Sequence, residues 1–227
     1  MTPDARELKP LDEAIWIAET DFKMFGVNIG NRMTIMRTRA GKLVIHSPVR
    51  AEAAFFETVA GLGEPLCLIL PNLFHYLHLA AWRERYPTTS VLAPATQNKI
   101  HFDHPLEDGP LADTDDDVVA VAIGGCPRLG EFALIHRPSR TLILTDLAFN
   151  FQKLPGIWSP LVARFYGAYG HFGPSRLVKA LVRDRAAFQA SLNRIMAFDF
   201  DRIVVSHGDV VTADGKAVFA AAFRDFL

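Results

Sequence analysis

Two histidines follow a short apolar run in the stretch PLCLILPNLFHYLHLAAW, residues 65–82. Residues 66–70 are continuously apolar and lie between prolines, which is typical of a buried strand. From residue 73 onward the apolar residues recur at helical spacing, so His75 and His78 are predicted to project from one face near a helix start. Imidazoles in this arrangement can ligate a metal ion, although a packed histidine beside a solvated one would show the same spacing.

Two other predicted strands also end in residues of metal-binding type. Asp146 follows the apolar residues 141–145, and His207 follows residues 201–206. Each has a simpler explanation, because Asp146 can cap a turn and His207 can fill a loop. Imidazole and carboxylate are nevertheless the donor set suited to zinc or iron, and sandwich folds build sites where strand ends converge at one edge. The predicted metal ligands are His75, His78, Asp146 and His207.

The rest of the chain predicts elements that would hold these residues at sheet edges. Apolar or β-branched runs between Gly, Asn and Pro turns predict strands at residues 14–20, 32–37, 42–46, 66–70, 90–93, 117–123, 131–136, 141–145 and 201–206. Helix-forming stretches with caps or stop residues predict helices at residues 51–62, 73–86, 175–182, 184–198 and 215–226. Residues 94–117 are polar and broken by proline and glycine, which predicts a surface excursion. This order predicts two sheets packed face to face with helices outside.

Composition and charge exclude several classes of protein. The chain has 227 residues, of which 50% are hydrophobic and 22% charged, and its formal net charge is −1. These values suit one domain over residues 1–227 and give no basic footprint for nucleic acid. We expect a cytoplasmic protein, because the first residues lack the apolar core of a signal peptide and no apolar run approaches the roughly 20 residues of a membrane helix. Cys67 and Cys126 are too few and too isolated for a disulfide framework or a thiolate zinc site.

An aromatic segment, residues 147–172, is also rich in glycine and proline and has no clean period. Such a segment can cover one face of the core, cap a pocket, pair two chains into a homodimer or touch a lipid surface. The sequence leaves these alternatives open.

The order of elements and the site residues resemble those of the metallo-β-lactamase superfamily. More narrowly, the chain resembles the uncharacterised family called domain of unknown function 4336, in the stretches IHSP (45–48), PNLFH (71–75) and HRPSRTL (136–142). The resemblance implies an α/β (α+β) fold, a four-layer αββα sandwich. It also implies a site at the strand ends along one edge.

Departures from the superfamily pattern are as informative as the matches. The superfamily carries His-x-His-x-Asp-His after its central strand, and here Leu73 stands at the first His and Leu77 at the Asp. The later turn at residues 124–127 offers no His. The resemblance therefore implies at most one metal ion, zinc or iron, and loses the Asp that would orient the attacking water.

His46 and Asn72 are predicted to line this site, with His46 in a strand where the superfamily usually has an Asp. His46 is either a further ligand or a histidine hydrogen-bonded beneath the strand ends. These features predict a metal-dependent, hydrolase-like protein that acts on an unidentified small molecule and uses no nucleotide cofactor. The alternatives are a metal-free pseudoenzyme that keeps the cleft as a binding module, and a protein whose aromatic segment docks on a partner or a membrane.

Overall fold

Two β-sheets are built from short strands separated by tight turns. The structure is a computed structural model that describes residues 7–24, 26–154 and 156–227. Its strands are β1 Leu8–Asp12, β2 Ile15–Thr20, β3 Lys23–Met24, β4 Val27–Asn28, β5 Asn31–Arg37, β6 Leu43–His46, β7 Pro65–Ile69, β8 Ser90–Ala93, β9 His104–Pro105, β10 Gly109–Pro110, β11 Val118–Ala122, β12 Phe132–His136, β13 Thr141–Leu144 and β14 Arg202–Val205. The helices are α1 Ala53–Ala60, α2 Leu79–Arg85, α3 Trp158–Phe165, α4 Arg176–Leu181, α5 Arg185–Ala197 and α6 Gly215–Phe223.

The strand order places several strand ends at a common edge. One sheet has seven strands in the order β1-β2-β5-β6-β7-β8-β9, another has five in the order β10-β11-β12-β13-β14, and β3 pairs with β4 in a separate two-stranded sheet. Strands β6, β7 and β8 run parallel to one another, as do β13 and β14. Because parallel neighbours end on the same side of a sheet, the residues that follow them emerge together.

Alternating side chains divide each sheet between an inner and an outer core. In the inner core, Val118 and Leu134 of one sheet belong to the same cluster as Ile17 and Val44 of the other. The outer cores contain helix residues, with Phe56 and Trp82 over the seven-stranded sheet and Phe188 and Phe219 over the five-stranded sheet. Helix, sheet, sheet, helix is therefore the layer order, and the predicted αββα sandwich is confirmed.

The helix predicted from residue 73 is wrong in its start, since α2 begins only at Leu79. The Asn72 side-chain oxygen accepts the backbone N–H groups of Phe74 at 2.9 Å and His75 at 3.0 Å. Bonds to the N–H groups two and three residues ahead close an Asx turn at Asn72, a geometry that also caps a helix where one follows. Here residues 73–78 form bends and turns, and His78 is the residue before the first helical turn.

Two predicted helix caps are confirmed. The Ser175 hydroxyl accepts the N–H of Val178 at 3.2 Å, and the Asp184 carboxylate accepts that of Ala187 at 3.0 Å. Both side chains satisfy an N–H group that the first helical turn leaves unpaired, so α4 and α5 start where the sequence places them.

The excursion at residues 94–117 packs more closely than its composition predicts. It contributes the short strands β9 and β10, and Leu106 and Leu111 are buried between the sheets. Two leucines among polar residues give no periodic signal, so only the fold shows their burial.

No helix among residues 7–24, 26–154 and 156–227 is long and apolar enough to cross a membrane. One domain over residues 1–227 stays a prediction, and residues 1–6 of that range lie outside the described residues.

Candidate metal centre

Three side chains meet at the edge where β7, β13 and β14 end. Asp146 lies between two imidazoles, with His207 Nε2 at 3.1 Å from its Oδ1 and His75 Nε2 at 3.4 Å from its Oδ2. The possible ligand atoms of the three residues all lie within 4.8 Å of one another. Two imidazole nitrogens and a carboxylate form a donor set that suits zinc or ferrous iron. This set, defined here as the His–Asp–His group, is the candidate metal centre.

Parallel pairing brings Asp146 and His207 together. Leu144 is paired with Val205 in the β13–β14 ladder. Asp146 and His207 each lie two residues further along, so they leave the sheet side by side. At the turn after His207, Gly208 has φ +100°, and a Cβ there would lie 2.3 Å from the Asn150 carbonyl oxygen. This close approach requires glycine.

The hydrogen bond at Nδ1 of His207 determines whether its Nε2 can face a cation. Nδ1 lies 2.7 Å from the carbonyl oxygen of Gly30. Because a carbonyl oxygen only accepts, Nδ1 carries a hydrogen, and in the neutral ring Nε2 therefore carries a lone pair. That lone pair points toward the Asp146 carboxylate, so a cation, either a proton or a metal ion, is needed between the two.

His75 is oriented by residues on both sides of it. Its Nδ1 lies 2.7 Å from the Ser47 hydroxyl, and its backbone N–H donates to Asn72. Ser47 follows β6 directly and has φ 55°, a left-handed conformation that is uncommon for a residue other than glycine. Strained backbone of this kind is concentrated at functional sites, which agrees with the position of Ser47 beside the group.

A buried layer of hydrogen bonds supports Asp146. Asn72 Nδ2 donates to Asp146 Oδ2 at 2.7 Å. The Glu131 carboxylate accepts the backbone N–H groups of Thr145, Asp146 and Leu147 at 2.8, 2.8 and 3.0 Å. Sequence reasoning missed Glu131, for which the only signal is an acid at the head of the apolar stretch EFALIH. Its carboxylate fixes the loop that carries Asp146.

Burial and the charges of neighbouring groups shift the pKa values of Asp146, Glu131 and His46 in different directions. Burial acts to raise the pKa of Asp146, but the charge and hydrogen bonds of His75 and His207 outweigh it and hold that pKa well below its usual range. Burial, and then the charge of Asp146, raise the pKa of Glu131 to about 8. Burial, and then the nearby His75, lower the pKa of His46 to about 3. His46 is therefore neutral beneath the group.

The structure does not place His78 in the His–Asp–His group, so its role as a fourth ligand stays a prediction. The turns at residues 73–78 remove the helical face that would have aligned it with His75. His78 instead lines the cleft that opens over the group, as does Leu77, whose side chain is 60% exposed. Leu77 thus forms an apolar part of the cleft wall.

His46 and Asn72 are fully buried beneath the group and do not reach the cleft wall, and a position beneath the strand ends is one of the two alternatives predicted for His46. The Nε2 atom of His46 lies 3.4 Å from the Thr145 hydroxyl, and its Nδ1 has no hydrogen-bond partner among the residues that the structure describes. Leu73 packs over Gly130, where a Cβ would lie 3.0 Å from the leucine Cγ. None of these residues adds a ligand to the group.

The cleft has a volume of about 400 Å³, and His75, Asp146 and His207 form part of its lining. Apolar side chains make up most of its wall, including those of Phe22, Met24, Ile29, Phe74, Phe149 and Leu177. Lys99 also lines it, with Nζ 5.3 Å from the ring centroids of Phe74 and Tyr76. A mostly apolar cleft with a few convergent polar groups is the usual form of a small-molecule site.

Comparison with known proteins identifies the fold. No protein-family model and no curated protein matches the chain. Among solved structures, DIM-1 metallo-β-lactamase exposed to ceftazidime is 14% identical, with 99% of each chain covered and a TM-score of 0.67. The metallo-β-lactamase FIM-1 from Pseudomonas aeruginosa, in its mono-zinc form, is 10% identical, with 98% of this chain and 97% of that chain covered and a TM-score of 0.68. A metallo-β-lactamase from Hirschia baltica is 11% identical, with 97% of this chain and 98% of that chain covered and a TM-score of 0.65.

These matches show that the chain has the metallo-β-lactamase fold. The narrower resemblance to domain of unknown function 4336 and the altered motif stay predictions. Function has to be argued from the site itself, because one fold carries many activities.

Proposed function

We propose that the protein is a metal-dependent hydrolase whose single ion, zinc or ferrous iron, is held by His75, Asp146 and His207. The observation that carries the proposal is the convergence of two imidazole nitrogens on one carboxylate at 3.1 and 3.4 Å. The Gly30 carbonyl supports it, because it turns the lone pair of neutral His207 toward Asp146. A proton on Nε2 of His207 would satisfy the same geometry without a metal ion. This protonated arrangement is the one expected for the metal-free binding module.

A single ion is favoured over two by the residues that surround the group. Within the described ranges, the His–Asp–His group is the only set of three or more His, Cys, Asp or Glu side chains with ligand atoms close enough to share an ion. Leu77 brings an isobutyl group to the cleft wall, and Leu73 packs over Gly130. Neither side chain can supply a ligand for a second ion.

When bound, such an ion supplies Lewis acidity toward a carbonyl oxygen and lowers the pKa of water. The protein's own contribution is positioning. Asn72 and the Glu131-bound loop hold Asp146, while Gly30 and Ser47 hold the two imidazole rings. The apolar wall of the cleft excludes water and binds the apolar part of a substrate. We infer that the substrate is a small carboxylic ester or lactam with an apolar substituent.

The test combines zinc titration with hydrolysis of para-nitrophenyl butyrate by the same preparations. Asp146→Asn removes the charged ligand, so zinc affinity should fall by about 100-fold or more and hydrolysis should fall to background. His78→Gln should retain the ion, because His78 lies outside the group. Asp209→Asn, which removes an exposed carboxylate two residues beyond His207, is the matched control and should change neither property.

Reproducible absence of zinc binding by the unaltered protein would contradict the hydrolase proposal and favour the binding module. Loss of the ion in His78→Gln would restore the four-ligand prediction.

A further inference from the structure

Large exposed apolar side chains gather at one end of the molecule. Among the described residues they are Met24, Phe74, Leu77, Ile157, Trp158, Leu161, Phe165 and Leu177. Met24, Phe74, Leu77 and Leu177 line the cleft, and the other four lie on α3 or directly before it. A smaller cavity of about 80 Å³ joins the two sets, since Met24 and Leu177 line it together with Val162 of α3. The cleft mouth and α3 therefore form one apolar surface.

The aromatic segment 147–172 divides into buried ends and an exposed middle. Leu147, Phe151 and Phe172 are buried. Within α3, Pro160 and Ala163 face inward, whereas Trp158, Leu161 and Phe165, at spacings of three and four residues, are 61%, 56% and 69% exposed. Residues so spaced share one helix face. That face is apolar and turned to solvent, which identifies an interaction surface and not a covered core.

The stretch that contains α3 carries charge of a single sign, although Lys179 pairs with Asp225 outside it. Residues 153–183 contain no Asp or Glu, although the whole chain has a net charge of −1. The cations of this stretch, all exposed, are Lys153, Arg164, Arg176, Lys179 and Arg183. Arg164 lies over the Tyr169 ring at 4.3 Å, and Arg176 Nη1 donates to the Phe165 carbonyl at 3.0 Å. Neither forms an ion pair with a carboxylate of the described chain, so both charges are available at the edge of the apolar face.

We propose that α3 docks on an anionic lipid surface, with Trp158, Leu161 and Phe165 in the interface and Arg164 and Arg176 against the lipid phosphates. An amphipathic helix with apolar bulk on one side and cations beside it binds membranes in this way, and tryptophan is enriched at the membrane–water interface. A second copy of the chain fits the same surface poorly. Two-fold pairing would bring the cations of each copy against those of the other, without a carboxylate in residues 153–183 to offset them.

The experiment is sedimentation of the 227-residue protein, as purified, with vesicles. Vesicles of phosphatidylcholine containing phosphatidylglycerol should bind the protein, and vesicles of phosphatidylcholine alone should bind it at least about tenfold more weakly. Arg164→Gln/Arg176→Gln should weaken binding to the anionic vesicles by about 30-fold, and raised salt should have a similar effect. Arg83→Gln/Arg85→Gln removes the same formal charge from α2, whose arginines do not line the cleft, and should leave binding unchanged.

Tryptophan fluorescence gives a second readout that does not depend on sedimentation. Trp158 is 61% exposed, Trp82 is fully buried, and Trp16 on β2 is half-buried with the Arg37 guanidinium 5.0 Å from its ring centroid, so anionic vesicles should shift the emission to shorter wavelength mainly through Trp158. Trp158→Phe should abolish the shift while retaining most of the binding, and Leu161→Ser/Phe165→Ser should lose both.

Three results would overturn the proposal. One is equal or undetectable binding to both kinds of vesicle. Another is a stable dimer that Leu161→Ser/Phe165→Ser dissociates, which would make this surface a self-interface. The third is binding to polyglutamate without binding to vesicles, which would indicate an acidic protein partner. None of these results depends on the metal site.

Discussion

Asn72→Ala should weaken both the fold and the metal site, because one buried amide joins three partners at 3.0 Å or less and also lies 3.5 Å from a Glu131 oxygen. The change leaves the N–H groups of Phe74 and His75 without their acceptor at 2.9 and 3.0 Å, and it leaves Asp146 without its donor at 2.7 Å. Two neutral hydrogen bonds and one bond to a charged group correspond to a loss of about 3 to 4 kcal/mol in the free energy of unfolding without metal. This is a large part of the roughly 5 to 15 kcal/mol that stabilises a typical protein.

Zinc affinity should fall by about 10- to 100-fold in the same variant. The reason is that Asn72 orients both the loop that carries His75 and the carboxylate of Asp146. Urea unfolding in chelator and competitive zinc titration measure the two effects. Ser191→Ala is the control. The Ser191 side chain is buried, lies outside the His–Asp–His group and accepts the Gly124 N–H at 2.9 Å. It should cost about 1 kcal/mol and leave zinc affinity unchanged. A loss below about 1 kcal/mol in Asn72→Ala, or unchanged zinc affinity, would refute the role given to this amide.

Three further outcomes are expected. Burial raises the pKa of Cys67 to about 12 and that of Cys126 above its ordinary value, so neither thiol of the native protein should react with a disulfide reagent at mildly alkaline pH, and both should react in denaturant. Gly208→Ala should destabilise the metal-free protein by about 2 kcal/mol or more and weaken zinc binding, as measured by the same titrations, because the added Cβ meets Asn150. Burial also lowers the pKa of His136 below its unfolded value of 6.5, so the unfolded chain binds more protons in acid than the folded chain does. The free energy of unfolding should therefore decline as the pH falls below 6.5. Urea titrations at several pH values should show a shallower decline in His136→Gln.

The strand ends of the site could be predicted from local sequence. Residues 142–144 and 203–205 are apolar runs, and Asp146 and His207 each lie two residues beyond the end of one of them. Their proximity needs only that the strands be parallel neighbours, and the β13–β14 ladder meets that condition. The αββα layers were predictable for the same reason, because alternation and helix spacing are local properties.

The interior of the site depends on contacts that local patterns do not encode. Helical spacing from residue 73 predicts a helix, whereas residues 73–78 form bends and turns, so His78 does not share a helix face with His75. Gly30, which orients His207, lies 177 residues away from it in sequence. Glu131 reads as the start of a strand, and only the fold shows that it binds three N–H groups of the Asp146 loop. Hydrogen-bond partners of this kind follow from tertiary structure.

An anomalous-scattering map from crystals grown with zinc tests the central claim most directly. The expected result is one peak per chain, bounded by Nε2 of His75, Nε2 of His207 and the carboxylate of Asp146, whose ligand atoms lie within 4.8 Å of one another. Two peaks in this cleft, a single peak held by His78 in place of one of these residues, or no peak at saturating zinc would contradict it.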